Sequence, residues 1–429
     1  MSGLNETPRA DRLHIGIFGR RNSGKSSLIN ALTGQQIALV SDHAGTTTDP
    51  VYKAMELHPV GPVVFIDTAG FDDEGELGEK RVELTRRVIA RTDLALLLFD
   101  EPPCDCEADW LRQLTAAGVP VIPVVNKADL PGRERIAAAA AAVLRRERRD
   151  TPASGEKKRA AGQRKADAAD EPQLLTVSAA TGEGIEELRR AIAAAVPDDI
   201  RRQIVMHKLA GDGDLVLLVM PQDIQAPKGR LILPQVQTIR ELLDGRCIVV
   251  CTTADGLPRA LASLSAAPDL IITDSQCFAE VEAARPPGSR LTSFSVLFAA
   301  YKGDIDTFVD GAAAIDRLTP ESRVLIAEAC THAPLREDIG REKIPRMLRA
   351  KVGPALRIDV AAGADFPADL SPYDLIIHCG ACMFNRQHVM SRIRAAEKAN
   401  VPITNYGIAI ARLKGILDRV DLPRPAEQD

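Results

Sequence analysis

Short apolar runs alternate with amphipathic stretches along the first 196 residues. LHIGIFG (13–19), VVFIDTAG (63–70), LALLLFD (94–100), VPVIPVVNKAD (119–129) and LLTVSA (174–179) have the length and unbroken apolarity of strands covered on both faces. That βαβα rhythm predicts an α/β fold, a parallel sheet with helices on both sides. A second series starts near Leu215, with DLVLLVMP, RCIVVCTT and DLIITDSQ as strands and a helix expected over 235–243. A third starts near Leu291. It holds RVLIAEAC (323–330), ALRIDVAAG (355–363), DLIIHCGAC (374–382) and VPITNYG (401–407), with helices expected over 339–351 and 386–399. The pattern divides the chain into three α/β domains, 1–196, 197–290 and 291–429, the last two with mainly parallel sheets. A length of 429 residues agrees with about three domains.

Between the last two strands of the first series the pattern breaks down. Residues 133–165 carry eleven Lys/Arg against four Asp/Glu. A helix is expected over 135–149. The basic stretch 145–170 lacks apolar anchors beyond it and reads as a flexible, solvated insertion.

Composition narrows the function classes. The chain is 45% hydrophobic and 26% charged, as globular proteins are, and its net charge of −5 provides no general basic field for nucleic acid or anionic membrane. Aromatic residues are only 3%, with Trp110 the single tryptophan, which argues against a stacking surface for nucleic acid. The N-terminus has no apolar signal core, and no apolar run nears the ~20 residues of a membrane span. A cytoplasmic protein without membrane attachment is the expectation. Eight cysteines are too few for a disulfide scaffold, so clustered ones suggest metal binding or catalysis.

The first strand ends at Gly19, which opens GRRNSGKS (19–26), a G-x-x-x-x-G-K-[ST] motif standing before a helical stretch expected over 27–33. Glycines let the backbone from Asn22 through Ser23, Gly24, Lys25, Ser26 and Ser27 curl so that its N–H groups meet phosphate oxygens. Lys25 adds a point charge for the β- and γ-phosphates, and Ser26 a hydroxyl for Mg²⁺. Asp67 ends a second strand, where its carboxylate can hold magnesium through water, and Gly70 can offer an N–H to a γ-phosphate. A third strand ends in Asn126-Lys127-Ala128-Asp129. A carboxylate there accepts from guanine N1–H and its exocyclic amine, a donor pair that adenine lacks. Ser178-Ala179 follows the last strand of the domain and fits a loop on the other side of the base. Four motifs in this order resemble the translation-factor-related GTPases and imply a P-loop domain that binds GTP.

In GTTTDP (45–50) the resemblance makes Thr47 the second Mg²⁺ hydroxyl, in a switch loop ordered by the γ-phosphate. Phe71 stands where many GTPases carry a water-orienting glutamine, so intrinsic hydrolysis should be slow. Asn22 resembles the asparagine of potassium-activated GTPases, in which K⁺ replaces an arginine finger. Asp72, Asp73, Glu74 and Glu76 form an acidic stretch read as a solvated switch region.

The third series carries Cys330-Thr331-His332 and, after 45 intervening residues, His378-Cys379-Gly380-Ala381-Cys382. Both groups follow predicted strands, and the carboxyl ends of parallel strands share one edge of a sheet, where ligand sites gather. Cys330, Cys379 and Cys382 with one histidine, His332 or His378, would make a Cys₃His zinc site. Three thiolates alone would hold a [4Fe–4S] cluster with one iron open or bound by an exchangeable histidine. The other cysteines suggest less. Cys247 and Cys251 share a face of a buried strand and read as core, Cys277 is alone, and Cys104 and Cys106 lie in a loop, EPPCDCEAD, where they could bind adventitious metal but have nothing to pair with. His14, His43, His58, His207 and His388 have no partner nameable from sequence.

A GTPase head followed by C-x-H and H-C-x-x-C at this spacing resembles the [FeFe]-hydrogenase maturation GTPases, HydF. DLVLLVMPQDIQAPKGRLILPQVQTIRELLD (214–244) is similar to that family's middle segment. The resemblance implies GTP hydrolysis in the head, a homodimer formed by the middle domain, and a [4Fe–4S] cluster on Cys330, Cys379 and Cys382. His332 and His378 would occupy the family's histidine positions. It further implies a scaffold and carrier of a diiron precursor, with radical-SAM maturation enzymes and apo-[FeFe]-hydrogenase as partners. Two alternatives are a GTPase of ribosome assembly or tRNA modification bearing a structural Cys₃His zinc module, and a GTP-regulated dimeric interaction module whose cysteines are core.

Overall fold

The computed structural model describes residues 11–34, 51–58, 60–68, 85–150, 174–196, 206, 209–221, 231–328, 339–363, 366–381 and 384–424. They fall in two units, Met1–Arg202 and Gln203–Asp429.

The first unit is built on a six-stranded sheet. Its strands are β1 (Leu13–Phe18), β2 (Val51–Leu57), β3 (Gly61–Asp67), β4 (Leu94–Phe99), β5 (Val121–Val125) and β6 (Leu175–Thr176), in the order β2-β3-β1-β4-β5-β6. Every residue of β1 and β4 is buried, as expected for central strands with helices on both faces. All pairings are parallel except that of β2, which runs antiparallel to β3 at the edge. The sequence reading missed β2 because VYKAMEL mixes charged and apolar residues and lies beside a short turn. One apolar layer packs Leu28, Ile29 and Leu32 of the helix Lys25–Thr33 against Ile15, Ile17 and Phe65, and the other packs Trp110, Leu111 and Leu114 against Phe18, Leu97 and Phe99. The basic segment begins as expected with a helix, Arg133–Asp150. The rest of the basic insertion, from 151, lies outside the described residues.

The second unit contains two four-stranded sheets. One holds β7 (Leu215–Val219), β8 (Ile248–Thr252), β9 (Leu270–Thr273) and β10 (Arg290–Ser293) in the order β10-β9-β7-β8. The other holds β11 (Arg323–Ala327), β12 (Arg357–Ala361), β13 (Leu375–His378) and β14 (Ile403–Asn405) in the order β12-β11-β13-β14. All their pairings are parallel.

The structure corrects the domain boundary first, then the cysteines and one histidine. A boundary between 290 and 291 would cut through β10, which pairs along its length with β9 and belongs to the second sheet. No composition change marks that strand, and the helix after it, Phe294–Lys302, is buried almost all round, so neither has a readable period. The two sheets also share an apolar core, in which Leu217, Ile271 and Leu291 cluster with Val324, Ile326 and Ile376. The second correction concerns the cysteines. Cys247 is buried, but Cys251 is exposed because β8 is a sheet edge. Cys104 and Cys106 are not in a plain loop. They are joined by a disulfide at the start of the helix Asp105–Ala116, where Cys104 is the N-cap and its sulfur accepts from the Cys106 N–H. His14 also has partners, since its ring Nδ1 lies 2.9 Å from the Arg12 carbonyl oxygen and its backbone N–H donates to Asp93.

Candidate functional site

The turn after β1 carries the phosphate-loop residues. Asn22 and Gly24 have φ of 60° and 87°, left-handed conformations that turn successive N–H groups toward one concavity. Gly24 caps the helix Lys25–Thr33, and a Cβ there would collide with the Asn126 side-chain amide. Glycine is therefore required twice over, for its conformation and for the close approach. Asn126 is 1% exposed; its Nδ2 donates to the Ser23 carbonyl at 2.8 Å, and its Oδ1 accepts from the Ala179 N–H at 3.4 Å. One side chain thus ties together three loops expected from sequence to surround a nucleotide.

The pairings around it are equally local to the motifs. Ser178 Oγ donates to Asp129 Oδ1 at 2.5 Å. That bond, followed by the backbone N–H of Asp129 itself, holds the exposed Asp129 carboxyl below its ordinary value, so it stands ready as an acceptor. Lys127, at φ 62°, pairs with Asp100 at 2.9 Å. Ser26 Oγ donates to Asp67 Oδ2 at 2.8 Å, bringing together the hydroxyl and carboxylate expected to serve Mg²⁺. Lys25 is buried, with Nζ donating to the carbonyls of Gly19 at 2.8 Å and Arg20 at 2.6 Å. Sequence reasoning missed Lys53 of β2, whose partial burial lowers its pKa while Asp67 acts to raise it. No local signal marks it, because β2 itself went unrecognised. Thr47, Gly70, Phe71, Asp72, Asp73, Glu74 and Glu76 lie outside the described residues.

In the second unit, β11 and β13 are neighbours with Ala327 opposite His378. The Cys379 N–H continues the ladder by donating to the Ala327 carbonyl at 3.0 Å. Cys379 is half-buried, and its sulfur accepts from the Ala381 N–H at 3.4 Å, in a turn where Ala381 takes φ 49°. Cys330, His332 and Cys382 lie outside the described residues. His378 is fully buried. Its Nε2 lies 3.0 Å from Arg392 Nη1, and its Nδ1 lies 2.7 Å from the Cys379 carbonyl. Arginine can only donate, so Nε2 accepts and Nδ1 carries the proton. Burial first, and Arg392 second, push its pKa down to about 3, so the ring is neutral. With both ring nitrogens engaged, His378 supports the backbone of the Cys379 turn. Serving as a ligand would require it to leave Arg392 or the Cys379 carbonyl. Arg392 is itself fixed by the Gly363 carbonyl at 2.6 Å and lies over the Phe366 ring.

Three family models match separate segments of the chain. Residues 14–127 match the 50S ribosome-binding GTPase family, 205–303 the hydrogen maturase F dimerization domain, and 306–422 the hydrogen maturase F tetramerization domain. The chain belongs to the hydrogen maturase F family. The change of model at 303–306 follows the end of β10 and its succeeding helix, in line with the sheet pairing. Outside the hydrogen maturase F segments, the GTPase head is similar to the tRNA modification GTPase MnmE of Chromobacterium violaceum, 42% identical over 122 residues, 28% of this chain and 27% of that protein. It is also similar to GTPase Der of Wolinella succinogenes, 38% identical over 136 residues, 30% of this chain and 28% of that protein. The chain thus spans only about a quarter of these relatives' length. Among solved structures, Aquifex aeolicus Era bound to GDP and AlF₄⁻ aligns at 18% identity and TM-score 0.32, covering 59% of this chain and 98% of that one. The G domain of T. maritima FeoB aligns at 20% identity and TM-score 0.28, covering 43% and 99%. No helix among the described residues is long and apolar enough to cross a membrane.

Proposed function

We propose that this chain is a GTP-hydrolysing scaffold of [FeFe]-hydrogenase maturation, holding a [4Fe–4S] cluster and carrying a diiron precursor to the apo-hydrogenase. The observation that supports the reading is the β11–β13 register, in which Ala327, three positions before Cys330 in the sequence, lies opposite His378 within a hydrogen maturase F domain. Cys379 fits a thiolate role: it is half-buried, and its sulfur already accepts a backbone N–H, the kind of bond that stabilises cluster thiolates. Cys330, Cys379 and Cys382 would hold the cluster. His332 and His378 stand as candidates for a fourth ligand, His378 the weaker because of Arg392. When bound, the cluster would supply an iron site open to an exchangeable ligand.

At the nucleotide site, Lys25 exchanges the carbonyls of Gly19 and Arg20 for phosphate oxygens. Ser26 and Asp67 would hold Mg²⁺, with Thr47 as second hydroxyl, and Asp129 accepts from guanine. Asn22 provides a K⁺-dependent substitute for an arginine finger, so hydrolysis should be faster in potassium than in sodium. The γ-phosphate then switches the residues around Thr47 and Gly70, altering contact with the radical-SAM enzymes or the hydrogenase rather than acting on the cluster. Assembly as a homodimer is supported by the edge strand β8, which exposes Ile248 (58%) and Cys251 within the dimerization segment. Ile248→Lys should lower the molar mass seen in solution by light scattering. A zinc-bearing GTPase of ribosome assembly or tRNA modification is not favoured, since 205–422 match hydrogen maturase F domains.

Anaerobically purified protein tests the proposal. Brown protein with about four irons per chain supports it. Colourless, iron-free protein after anaerobic reconstitution overturns it.

A further inference from the structure

Cys104, Cys106 and Glu107 form a cluster that neither the nucleotide site nor the cysteine motifs of the third sheet use. Glu107 is 2% exposed, yet its Oε2 lies 3.1 Å from Cys104 Sγ and 3.2 Å from Cys106 Sγ. The three donor atoms all fall within 4.8 Å of one another, the only such group of His, Cys, Asp and Glu among the described residues. An ion about 2.3 Å from each thiolate and about 2.0 Å from the carboxylate needs donor separations of about 3.5–3.8 Å, so small adjustments of two side chains suffice.

We propose that these three residues, once the disulfide is reduced, bind a thiophilic divalent cation of the zinc class beside the phosphate loop. Charge supports the choice. Two thiolates and a carboxylate carry −3, which the cation and Arg20 together neutralise. Arg20 lies within the phosphate loop and grips Glu107 through Nε at 2.6 Å and Nη2 at 3.1 Å. A hydrogen-bonded partner of this kind orients a ligating carboxylate. The N-terminus of the helix Asp105–Ala116 favours the thiolate form of Cys104, whose sulfur already accepts the Cys106 N–H. Two protein thiolates and one carboxylate leave a fourth position for water, as in an open zinc site.

In the structure the sulfurs are bonded to each other, so the site opens only on reduction. Two molecules of a low-molecular-weight thiol supply two electrons and two protons. They leave as one disulfide, and Cys104 and Cys106 become thiols. The cation then displaces both thiol protons to solvent. Because the Arg20 carbonyl holds Lys25 Nζ, occupancy of this site is one residue removed from the nucleotide lysine.

The test is zinc binding by the reduced full-length chain, compared with Cys104→Ser/Cys106→Ser. Serine at 104 preserves an N-cap acceptor, and the other six cysteines are common to both proteins, so the difference isolates the pair. Equilibrium dialysis should find one more Zn²⁺ per chain in the reduced wild type, and no such difference without reductant. Co²⁺ should give thiolate-to-metal absorption that the double variant lacks, and Glu107→Gln should weaken binding by about tenfold or more. Equal zinc stoichiometry in wild type and double variant after reduction would overturn the proposal. So would an extra Zn²⁺ that binds without reduction.

Discussion

The nucleotide site and the Cys379 turn are both built at carboxyl ends of parallel strands, but they are held in different ways. Around the phosphate loop, polar side chains bond directly across distant motifs: Asn126 to the Ser23 carbonyl, Ser178 to Asp129 and Ser26 to Asp67. Several of those groups are the ones a nucleotide would take over, so the site is preformed by bonds that its ligand can replace. Beneath Cys379 the support is a buried, neutral His378 fixed by Arg392. That pair is fully desolvated and would be costly to break. One site is arranged for exchange and the other for permanence.

The largest expected effects separate the two sites completely. Lys25→Ala should reduce GTP hydrolysis by about 10²-fold or more while leaving iron content unchanged. Cys379→Ser should do the reverse, abolishing stable iron binding with hydrolysis retained. Steady-state phosphate release and iron analysis on both variants check the pair, and loss of both properties in either variant would break the comparison.

A smaller effect probes permanence. Arg392→Met leaves His378 Nε2 and the Gly363 carbonyl without their partner, and should destabilise the second unit by about 2 kcal/mol or more. Denaturant unfolding followed by a probe in that unit measures it. An unchanged midpoint would mean that the pair does not anchor the turn.

The smallest effect concerns Asp129. Its pKa is depressed in the folded protein, so its acceptor role is intact above the ordinary carboxylate value and is lost as pH falls through the depressed one. Ser178 is the first cause of that depression. In Ser178→Ala, GDP affinity should therefore begin to fall at a higher pH than in the wild type. Superimposable pH profiles would assign the lowered pKa to backbone alone.

How much of this was legible depended on sequence distance. The phosphate loop is eight consecutive residues, 19–26, so its chemistry and its backbone demands are both written locally. Asp67, Asn126 and Ser178 could be placed because each follows an apolar run long enough to be a buried strand. Other features had no local signature. Cys251 lies in a run as apolar as a central strand, but β8 is at an edge and exposes it. Phe294–Lys302 is buried on nearly every face, which removes the helical period that would reveal it. The Glu107–Arg20 pair joins residues 87 positions apart, and neither alone indicates the other.

Sequence by itself determined the α/β class, the GTPase motifs and the paired cysteine motifs, because these depend on short spacings and on apolar runs that any buried strand needs. Tertiary structure alone decided which strands are edges, that β10 closes the second sheet, that His378 is engaged at both nitrogens, and that Cys104 and Cys106 face a buried carboxylate beside the phosphate loop. Burial, edge position and long-range pairing arise when separate segments pack together, and no local pattern of residues encodes them.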